Sequence, residues 1–558
     1  MYKFLLILAL AALPVRSSLA LTDSVALSGR AHARLPSLAA AHEDAMLQTL
    51  YARAGTRPLW IEHGRPTPQA TELLRILATA DTFGLRTSDY GVEVLATARN
   101  ASQGTATQFD ALLSRAAIRL VTHLHYGRID PRTAGFELQG SRTDLDVVSA
   151  VAALASTARV ADALAAVEPH FYHYRLLKTA LAHYRLLAAE PSLTQLPGIG
   201  HRALHIGDTY VGEPALRRLL MALGDLSDHA QLSPLPSSTA TSPDAPPSPD
   251  ALQLDAALCD ALKRFQLRHG LPTDGALNGA TYLALTTPLA QRVRQIELTL
   301  ERWRWLPAFD TPPIIVNIPE FRLFAFNSTE DRVADIRQMA VIVGQTYART
   351  RTPVFVGDMR YVIFRPYWNV PRSITVHEML PKIQANTEYL RRNNLEIVRG
   401  EGDDATAMSP TPAVIAALAA GQLRLRQQPG EDNALGLVKF MFPNSHNVYL
   451  HSTPAHQLFA QSRRAFSHGC IRVSDPAALA AYVLRNAAGT WDAARIDAAM
   501  RGANSSRVEL LKPIRVMILY GTALATEAGP VEFFNDIYGH DRKLAQLLAI
   551  AHSLGSSL

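Results

Sequence analysis

Cysteine is scarce in this chain, because Cys259 and Cys470 are the only two among 558 residues. Two cysteines so far apart cannot form the dense disulfide framework that staples small secreted folds. Cys259 lies in an apolar helical pattern, which predicts a small buried residue. Cys470 follows a glycine in a polar turn, and we expect both thiols to be free. Cys470 is therefore the residue whose presence calls for a chemical explanation.

Long apolar runs are also absent after the N-terminus. The run Phe4–Leu13 is unbroken but is shorter than the about 20 residues that span a bilayer. Lys3 precedes it and the small-residue sequence Ser18-Leu19-Ala20 follows it, which is typical of a signal peptide. We expect residues 1–20 to be this peptide and the mature protein to be exported and soluble. An uncleaved N-terminal anchor is the alternative.

Several binding motifs are missing as well. The chain has no Walker phosphate loop, no dinucleotide glycine pattern, no C-x-x-C metal knuckle and no RNA-binding signature. The net charge of +6 is mildly basic, which permits an anionic partner but fits an ordinary surface equally well. Neither nucleotide nor nucleic-acid binding is predicted.

The length of the chain predicts two to four domains, and the periodicity of its apolar residues divides it. Residues 21–196 have apolar residues at three- and four-residue spacing, which predicts an all-helical scaffold. Residues 291–311 predict a helical connector. In 312–558 short alternating runs predict a mostly β domain, interrupted at about 372–423 by a helical insert. The expected fold class is α+β and multidomain.

Between the scaffold and the connector, residues 197–290 predict three helices. The Pro/Ser-rich stretch 233–250 separates the first two and is expected to be disordered. The pattern Phe-Gln-x-x-x-Gly-Leu, followed by Asp-Gly, Gly and Thr, resembles the small three-helix peptidoglycan-binding domain. The matching positions are Phe265, Gln266, Gly270, Leu271, Asp274, Gly275, Gly279 and Thr281. The resemblance implies that 233–250 is a loop inserted within one domain.

Cys470 stands in the stretch HSTPAHQLFAQSRRAFSHGCIRV, with His451 at its start and His468 two residues before the thiol. A thiol attacks a carbonyl only when a neighbouring group takes its proton, and histidine suits this task. His451 ends one predicted strand and Ile471 begins another, so adjacent strand ends would bring His451 to Cys470. This favours His451 over His468 as the base. A zinc site of these three residues and a purely structural Cys470 are the alternatives.

The arrangement H-x15-S-H-G-C-I-R-V resembles the signature of the L,D-transpeptidases with a YkuD-type catalytic domain. The large YcbB-like periplasmic subgroup is the most similar in layout. Further stretches that resemble this subgroup are Asn317–Leu323, Val341–Gly344, Arg351–Phe355, Pro366–Pro371, Asn433–Gly436, Phe442–Asn444 and Ile537–Gly539.

The resemblance implies a role for each residue of the motif. Cys470 would be the nucleophile and His451 the general base, oriented by the backbone carbonyl of Ser452. The backbone of His468 and Gly469, with that of Cys470, would supply oxyanion donors. The residues that would bind substrate are Arg472, Tyr449 and Trp368, and the insert at about 372–423 would cap the site.

The resemblance also implies a periplasmic enzyme that forms 3→3 cross-links between diaminopimelate residues of peptidoglycan. Its partners would be a tetrapeptide donor stem and a diaminopimelate acceptor, with D-alanine released and no metal or organic cofactor. Carbapenem-type β-lactams would acylate Cys470. The alternatives are an L,D-carboxypeptidase or endopeptidase, a lipoprotein-anchoring transpeptidase, and a non-catalytic wall-binding protein.

Overall fold

A computed structural model describes residues 41–100, 106–138, 144–227, 252–328, 336–527 and 529–555. The expected signal peptide at 1–20 and the Pro/Ser-rich stretch at 233–250 lie outside the described residues. Across the described ranges, no helix is both long enough and apolar enough to cross a bilayer. The predicted division into a helical N-terminal part and a strand-rich C-terminal part is confirmed.

The N-terminal part packs around the long helix Ala106–Tyr126. Its buried residues Leu113, Ala117 and Leu120 recur at three- and four-residue spacing and face one hydrophobic core. Side-chain caps begin the neighbouring helices, as Thr67 does by accepting a hydrogen bond from the Ala70 amide. The helices here are Pro68–Ala78, Val92–Asn100, Ala106–Tyr126, Pro131–Ala134, Val147–Ser156, Val160–Val167 and Tyr172–Ala188, with residues 41–53 also helical. Short 3-10 turns are Ala80–Phe83, Thr87–Tyr90 and Pro191–Thr194, and Ile61–Glu62 pairs with Arg65–Pro66.

A second core forms around the helices Glu213–Ala222, Ala256–Arg268, Gly279–Leu285 and Leu289–Arg304. The first two, which flank the undescribed stretch, contribute to the same core and are joined by the buried pair Asp225–Arg268. The buried Gln266 amide donates to Asp274, to the Ala276 carbonyl and to Thr281. This network gives the Phe-Gln to Thr pattern a structural explanation, because Gln266 holds the turn between two helices through these hydrogen bonds.

The strand-rich part contains one nine-stranded sheet. We label its strands β1 (Ile314–Asn317), β2 (Arg322–Ala325), β3 (Arg337–Gly344), β4 (Phe355–Phe364), β5 (Val438–Met441), β6 (Leu450–His451), β7 (Ala465–Ser467), β8 (Ile471–Val473) and β9 (Ser506–Leu519). The order is β7-β3-β8-β6-β5-β4-β9-β1-β2, and β2 also pairs with β3. Eight strands therefore close into a ring around a buried apolar core, with β7 attached to β3.

The remaining elements are those C-terminal to the ring and one helix that connects the ring to the second core. The C-terminal elements are the helices Pro476–Val483, Ala493–Arg501 and His540–Gly555, the 3-10 turn Leu484–Asn486, and the paired strands Ala523–Leu524 and Glu532–Phe533. The helix Leu289–Arg304 contributes Leu298 to the core of the ring and Ile296 to the second core. One helix thereby fixes the sheet relative to the helical part that precedes it.

The insert between β4 and β5 differs from the expected helical unit. It contains a four-stranded sheet of Trp368–Asn369, Leu395–Arg399, Thr406–Met408 and Arg424–Gln427. Its helical segments are Arg372–Ile374, Thr375–Met379, Leu380–Ala385, Glu388–Arg392 and Pro412–Ala420, of which Thr375–Met379 is a π-helix. The expectation of a helical insert is therefore wrong in part. Leu395, Ile397 and Leu425 alternate along these strands and fill a separate small core, which the helical spacing around them obscured.

Candidate active site

Three neighbouring strands place a row of polar side chains on one face of the sheet. β6 runs antiparallel to β5, with Lys439 opposite His451, and parallel to β8, with His451 opposite Arg472. Residues that lie directly opposite each other on paired strands point to the same face. Lys439, His451 and Arg472 therefore stand side by side, with the histidine between two cations.

A second row lies one step back along the same face. Tyr449 precedes His451 by two residues and Cys470 precedes Arg472 by two residues, so each shares its partner's face. The Tyr449 and His451 rings are 5.7 Å apart between centroids, and the Tyr449 and Cys470 side chains are hydrogen-bonded. The structure thus brings Cys470, which directly precedes β8, close to His451 at the end of the adjacent parallel strand β6, although 18 residues of chain separate them.

The buried His451 ring is held by its neighbour in the chain. Its Nδ1 donates a hydrogen bond to the backbone carbonyl of Ser452 at 2.5 Å. A carbonyl only accepts, so Nδ1 carries the hydrogen and Nε2 is the nitrogen left to take a proton. Ser452 is in turn fixed by its own amide, which donates to Val438 at 2.9 Å. Gly436 packs so closely here that an added Cβ would lie 2.5 Å from the Ser452 hydroxyl.

The electrostatics keep both reactive groups neutral at rest. Burial, with the positive charges of Arg472 and Lys439, lowers the pKa of His451 to about 3. Burial raises the pKa of the Cys470 thiol, although its hydrogen bonds with Tyr449 and the two nearby cations oppose the rise. The resting site therefore holds a thiol beside a neutral imidazole, rather than a thiolate–imidazolium pair.

The loop that carries Cys470 is braced by Ser467. The Ser467 hydroxyl donates to the Cys470 carbonyl at 2.5 Å and accepts from the Gly469 amide at 3.1 Å. Gly469 has φ +122°, a conformation that side chains strain to adopt. Because the Gly469 amide is already engaged, the amides of His468 and Cys470, which donate to no acceptor within the described chain, are the better candidates for an oxyanion.

A second brace reaches the loop from the C-terminal part of the chain. The buried Thr352 hydroxyl donates to the Gly469 carbonyl at 2.8 Å and accepts from the Gly344 amide at 2.8 Å. The Tyr538 hydroxyl donates to the Gly344 carbonyl at 2.6 Å and accepts from the Thr352 amide at 3.2 Å. Tyr538 and Thr352 therefore set the position of the residue that precedes the thiol.

Removing this brace is expected to slow the first chemical step while the protein stays folded. The variant Thr352→Val keeps the shape but deletes both side-chain hydrogen bonds, leaving the Gly344 amide and the Gly469 carbonyl buried and unpaired, and Thr352→Ser keeps the hydroxyl. We expect at least about tenfold slower acylation in the valine variant, because loss of about 1.4 kcal/mol of transition-state stabilisation corresponds to tenfold. Intact-protein mass spectrometry over time measures this rate, and equal rates in the two variants would contradict it.

Two other predicted residues lie away from the thiol. The exposed His468 side chain contacts the insert, with Nε2 3.0 Å from Glu378 Oε1. Trp368 is half-buried and packs against the core of the insert, opposite Gln427. In the described part of the chain, no group of three or more His, Cys, Asp or Glu side chains is arranged to hold a metal ion.

Lys439, Thr352 and Tyr538 were not singled out from the sequence as site residues. Thr352 and Tyr538 lie in two stretches that resemble the family, but nothing local assigns them to the loop of Gly469. Lys439 could have been found only from the register between β5 and β6, which depends on tertiary pairing.

Comparison with known proteins defines the class of this domain. Residues 312–498 match the YkuD family, described as the L,D-transpeptidase catalytic domain, and residues 45–181 match a family described as a scaffold domain. The strand-rich part of the chain thus matches an L,D-transpeptidase catalytic domain, and Cys470 and His451 lie within the matched range.

One relative is a protein of Haemophilus influenzae named "Putative L,D-transpeptidase". It is 32% identical over 254 residues, which cover 45% of this chain and 49% of the relative. The chain thus spans about half the length of the curated relative that it matches.

Proposed function

We propose that this protein is an exported L,D-transpeptidase that forms 3→3 cross-links in peptidoglycan. The observation that carries the proposal is the placement of Cys470, directly before β8, next to the strand β6 that ends at His451, within the matched domain. The group that reacts would be the amide between the third stem residue, a diaminopimelate, and the terminal D-alanine of a tetrapeptide. The YcbB-like subgroup and a periplasmic location belong to the same proposal.

In the first half-reaction the Cys470 sulfur attacks the carbonyl of the third stem residue. His451 Nε2 takes the thiol proton as the C–S bond forms, which a neutral imidazole can do. The amides of His468 and Cys470 receive the oxyanion. The C–N bond then breaks, and D-alanine leaves as an amine after taking the proton from His451. The flanking cations assist this return, because they disfavour the imidazolium.

In the second half-reaction an amine of a second stem attacks the thioester. The side-chain nitrogen of diaminopimelate forms the new amide bond, the C–S bond breaks, and the sulfur recovers a proton. The product is a cross-link between two third residues and a free Cys470 thiol.

The charge of the site suits a peptide that carries carboxylates. Arg472 and Lys439 form no ion pair with carboxylates of the described chain, and Arg472 Nε has no hydrogen-bond partner there. Arg472 would hold a carboxylate of the donor stem. Tyr449 would form a wall beside the sulfur, whereas Trp368 would act through the insert, which lies over the loop of His468 and would gate access.

The other parts of the chain fit this proposal. Residues 197–290 would bind peptidoglycan, and carbapenem-type β-lactams would acylate Cys470 through the same attack on a carbonyl. No metal or organic cofactor enters any step. The alternatives use the same acyl-enzyme with water or a lipoprotein lysine as acceptor, or assign the chain a non-catalytic wall-binding role.

The test is a product analysis with purified disaccharide-tetrapeptide. The proposal expects a cross-linked dimer that has lost one D-alanine, identified by tandem mass spectrometry as joined between third residues. Tripeptide monomer alone would instead identify a carboxypeptidase. Absence of both products, with binding to intact peptidoglycan retained, would identify a wall-binding protein. EDTA should leave the yield unchanged, and a loss of activity that zinc restores would contradict the thiol mechanism.

A further inference from the structure

Lys439 is a lysine of the reactive face that the mechanism above uses only as one of the two cations beside His451. It is half-buried on β5, directly opposite His451, and its Nζ lies 3.8 Å above the Tyr449 ring. Its ammonium group makes no ion pair or hydrogen bond with the described residues. The charged or titratable groups that face it are Cys470, Asp403, His451, Tyr449 and Arg472.

A lysine in this position is chemically unusual. Burial lowers the pKa of Lys439 to about 8, although Cys470 and Asp403 favour its charged form. A measurable fraction of its side chain is therefore a neutral amine near neutral pH, and this fraction rises as the pH rises. Tyr449, whose pKa burial raises well above its ordinary value, stays a neutral phenol and supplies no competing charge.

The second half-reaction needs a base that His451 supplies poorly. An alkylamine acceptor reaches the site mostly as an ammonium ion, which has no lone pair for attack. His451 lies between two cations and holds a proton only at low pH. Lys439 stands in the same row, one strand away on the side of His451 opposite to Arg472.

We propose that Lys439 is the base that takes a proton from the incoming acceptor ammonium, and thereby directs the acyl-enzyme to aminolysis. This rests on the proposed transpeptidase function and adds a residue to its second half-reaction. The neutral Lys439 amine accepts one proton and becomes an ammonium. The freed acceptor lone pair forms the C–N bond, the C–S bond breaks, and the second proton of the acceptor nitrogen passes through His451 to the Cys470 sulfur. Lys439 then releases its proton to solvent.

Two variants separate a base from a structural or purely electrostatic group. Lys439→Met keeps the length of the side chain without an ionisable nitrogen, and Lys439→Arg keeps a cation that does not deprotonate. With the disaccharide-tetrapeptide as donor and acceptor, both variants should form the acyl-enzyme and release D-alanine in the first turnover. The cross-linking rate should fall by about 10²-fold or more in both, because a general base contributes about 10²- to 10⁴-fold. The thioester should then accumulate in intact-protein mass spectra.

A small amine gives an internal control. Methoxyamine is neutral at neutral pH and needs no proton removed before it attacks, so it should release the acyl group from wild-type protein and from Lys439→Arg, which keeps the cation beside His451, at equal rates. Wild-type cross-linking should also rise with pH through the region of about 8, whereas release by methoxyamine should not. Wild-type rates in Lys439→Arg, or an equal defect with methoxyamine, would overturn the proposal.

Failure of the proposed function itself would look different. In that case wild-type protein would yield no cross-linked dimer at any pH: it would form no acyl-enzyme, or it would release D-alanine and give tripeptide monomer alone. If Lys439→Met did not fold, it would show no acylation. Lys439→Arg and the pH profile of wild-type cross-linking would then decide the question. Full cross-linking by Lys439→Arg, or a wild-type rate that does not change with pH, would overturn the role of Lys439.

Discussion

Cys470→Ala is expected to form no acyl-enzyme with a tetrapeptide donor or a carbapenem, and to yield no cross-linked product. The sulfur is the atom that bonds to the substrate carbonyl, so its removal deletes the intermediate rather than weakening a contact. Cys470→Ser should also fail to acylate, because a hydroxyl is a poorer nucleophile than a thiol beside so weak a base as His451. Intact-protein mass spectrometry detects the added acyl mass directly.

The chain supplies a matched control for this experiment. Cys259 is the other free cysteine and is buried in the helix Ala256–Arg268. It is distant from Cys470 in the sequence and belongs to the second hydrophobic core rather than to that of the nine-stranded sheet. Cys259→Ala should retain one acylation per molecule and wild-type cross-linking. Acyl mass or dimer in Cys470→Ala, or loss of both in Cys259→Ala, would show that the nucleophile has been assigned to the wrong residue.

His451→Gln is expected to slow acylation by about 10²- to 10⁴-fold, the range for loss of a general base. A glutamine side chain stays neutral and polar but has no basic nitrogen, so the variant removes the acceptor of the thiol proton. His468→Gln is the comparison, because His468 contacts the insert rather than the reactive face. Stopped-flow or quenched mass spectrometry of the first turnover measures both rates, and a larger defect in His468→Gln would reverse the assignment.

The pH dependence of acylation follows from the lowered pKa of His451. Because burial and two cations lower the pKa of His451 to about 3, the base stays neutral as pH falls through its ordinary value of 6.5. The wild-type acylation rate should therefore show no loss near 6.5. The pKa of His451 is lower in the folded protein than in the unfolded chain, so the unfolded chain binds the proton more tightly. The free energy of unfolding should therefore decrease as pH falls from 6.5 toward about 3. A drop in rate centred near 6.5, with the protein still folded by circular dichroism, would contradict a neutral base.

The contact between His468 and Glu378 suggests how the insert takes part. Glu378 lies in the π-helix Thr375–Met379, and such bulges are common at functional sites. The pair is exposed on both sides, so its contribution to stability is small and it is suited to break and reform. The insert thereby contacts the loop of the thiol at His468, while Thr352 holds the same loop at the Gly469 carbonyl.

Local sequence patterns predict much of the fold and the residues expected to react. Apolar spacing of three and four residues distinguishes the helical front from the alternating strands that follow, because each pattern buries only one face of one element type. The sheet of the insert cannot be predicted from such spacing, because its strands Leu395–Arg399 and Arg424–Gln427 are short and lie between helices. Their pairing partners are distant in the chain, and pairing is what makes them strands.

The sequence by itself determined that one cysteine, Cys470, and one histidine, His451, stand at the ends of two strands in a motif suited to acyl transfer. Nearest neighbours in the chain are enough for that, because Gly469 and the alternation of the strands are local features. Only the tertiary structure decided the charge of the site. The register of β5, β6 and β8 sets His451 between Lys439 and Arg472, and burial makes those charges act strongly on it. The neutral resting state, the brace from Tyr538 and the role of Lys439 all depend on contacts between segments that no spacing in the sequence connects.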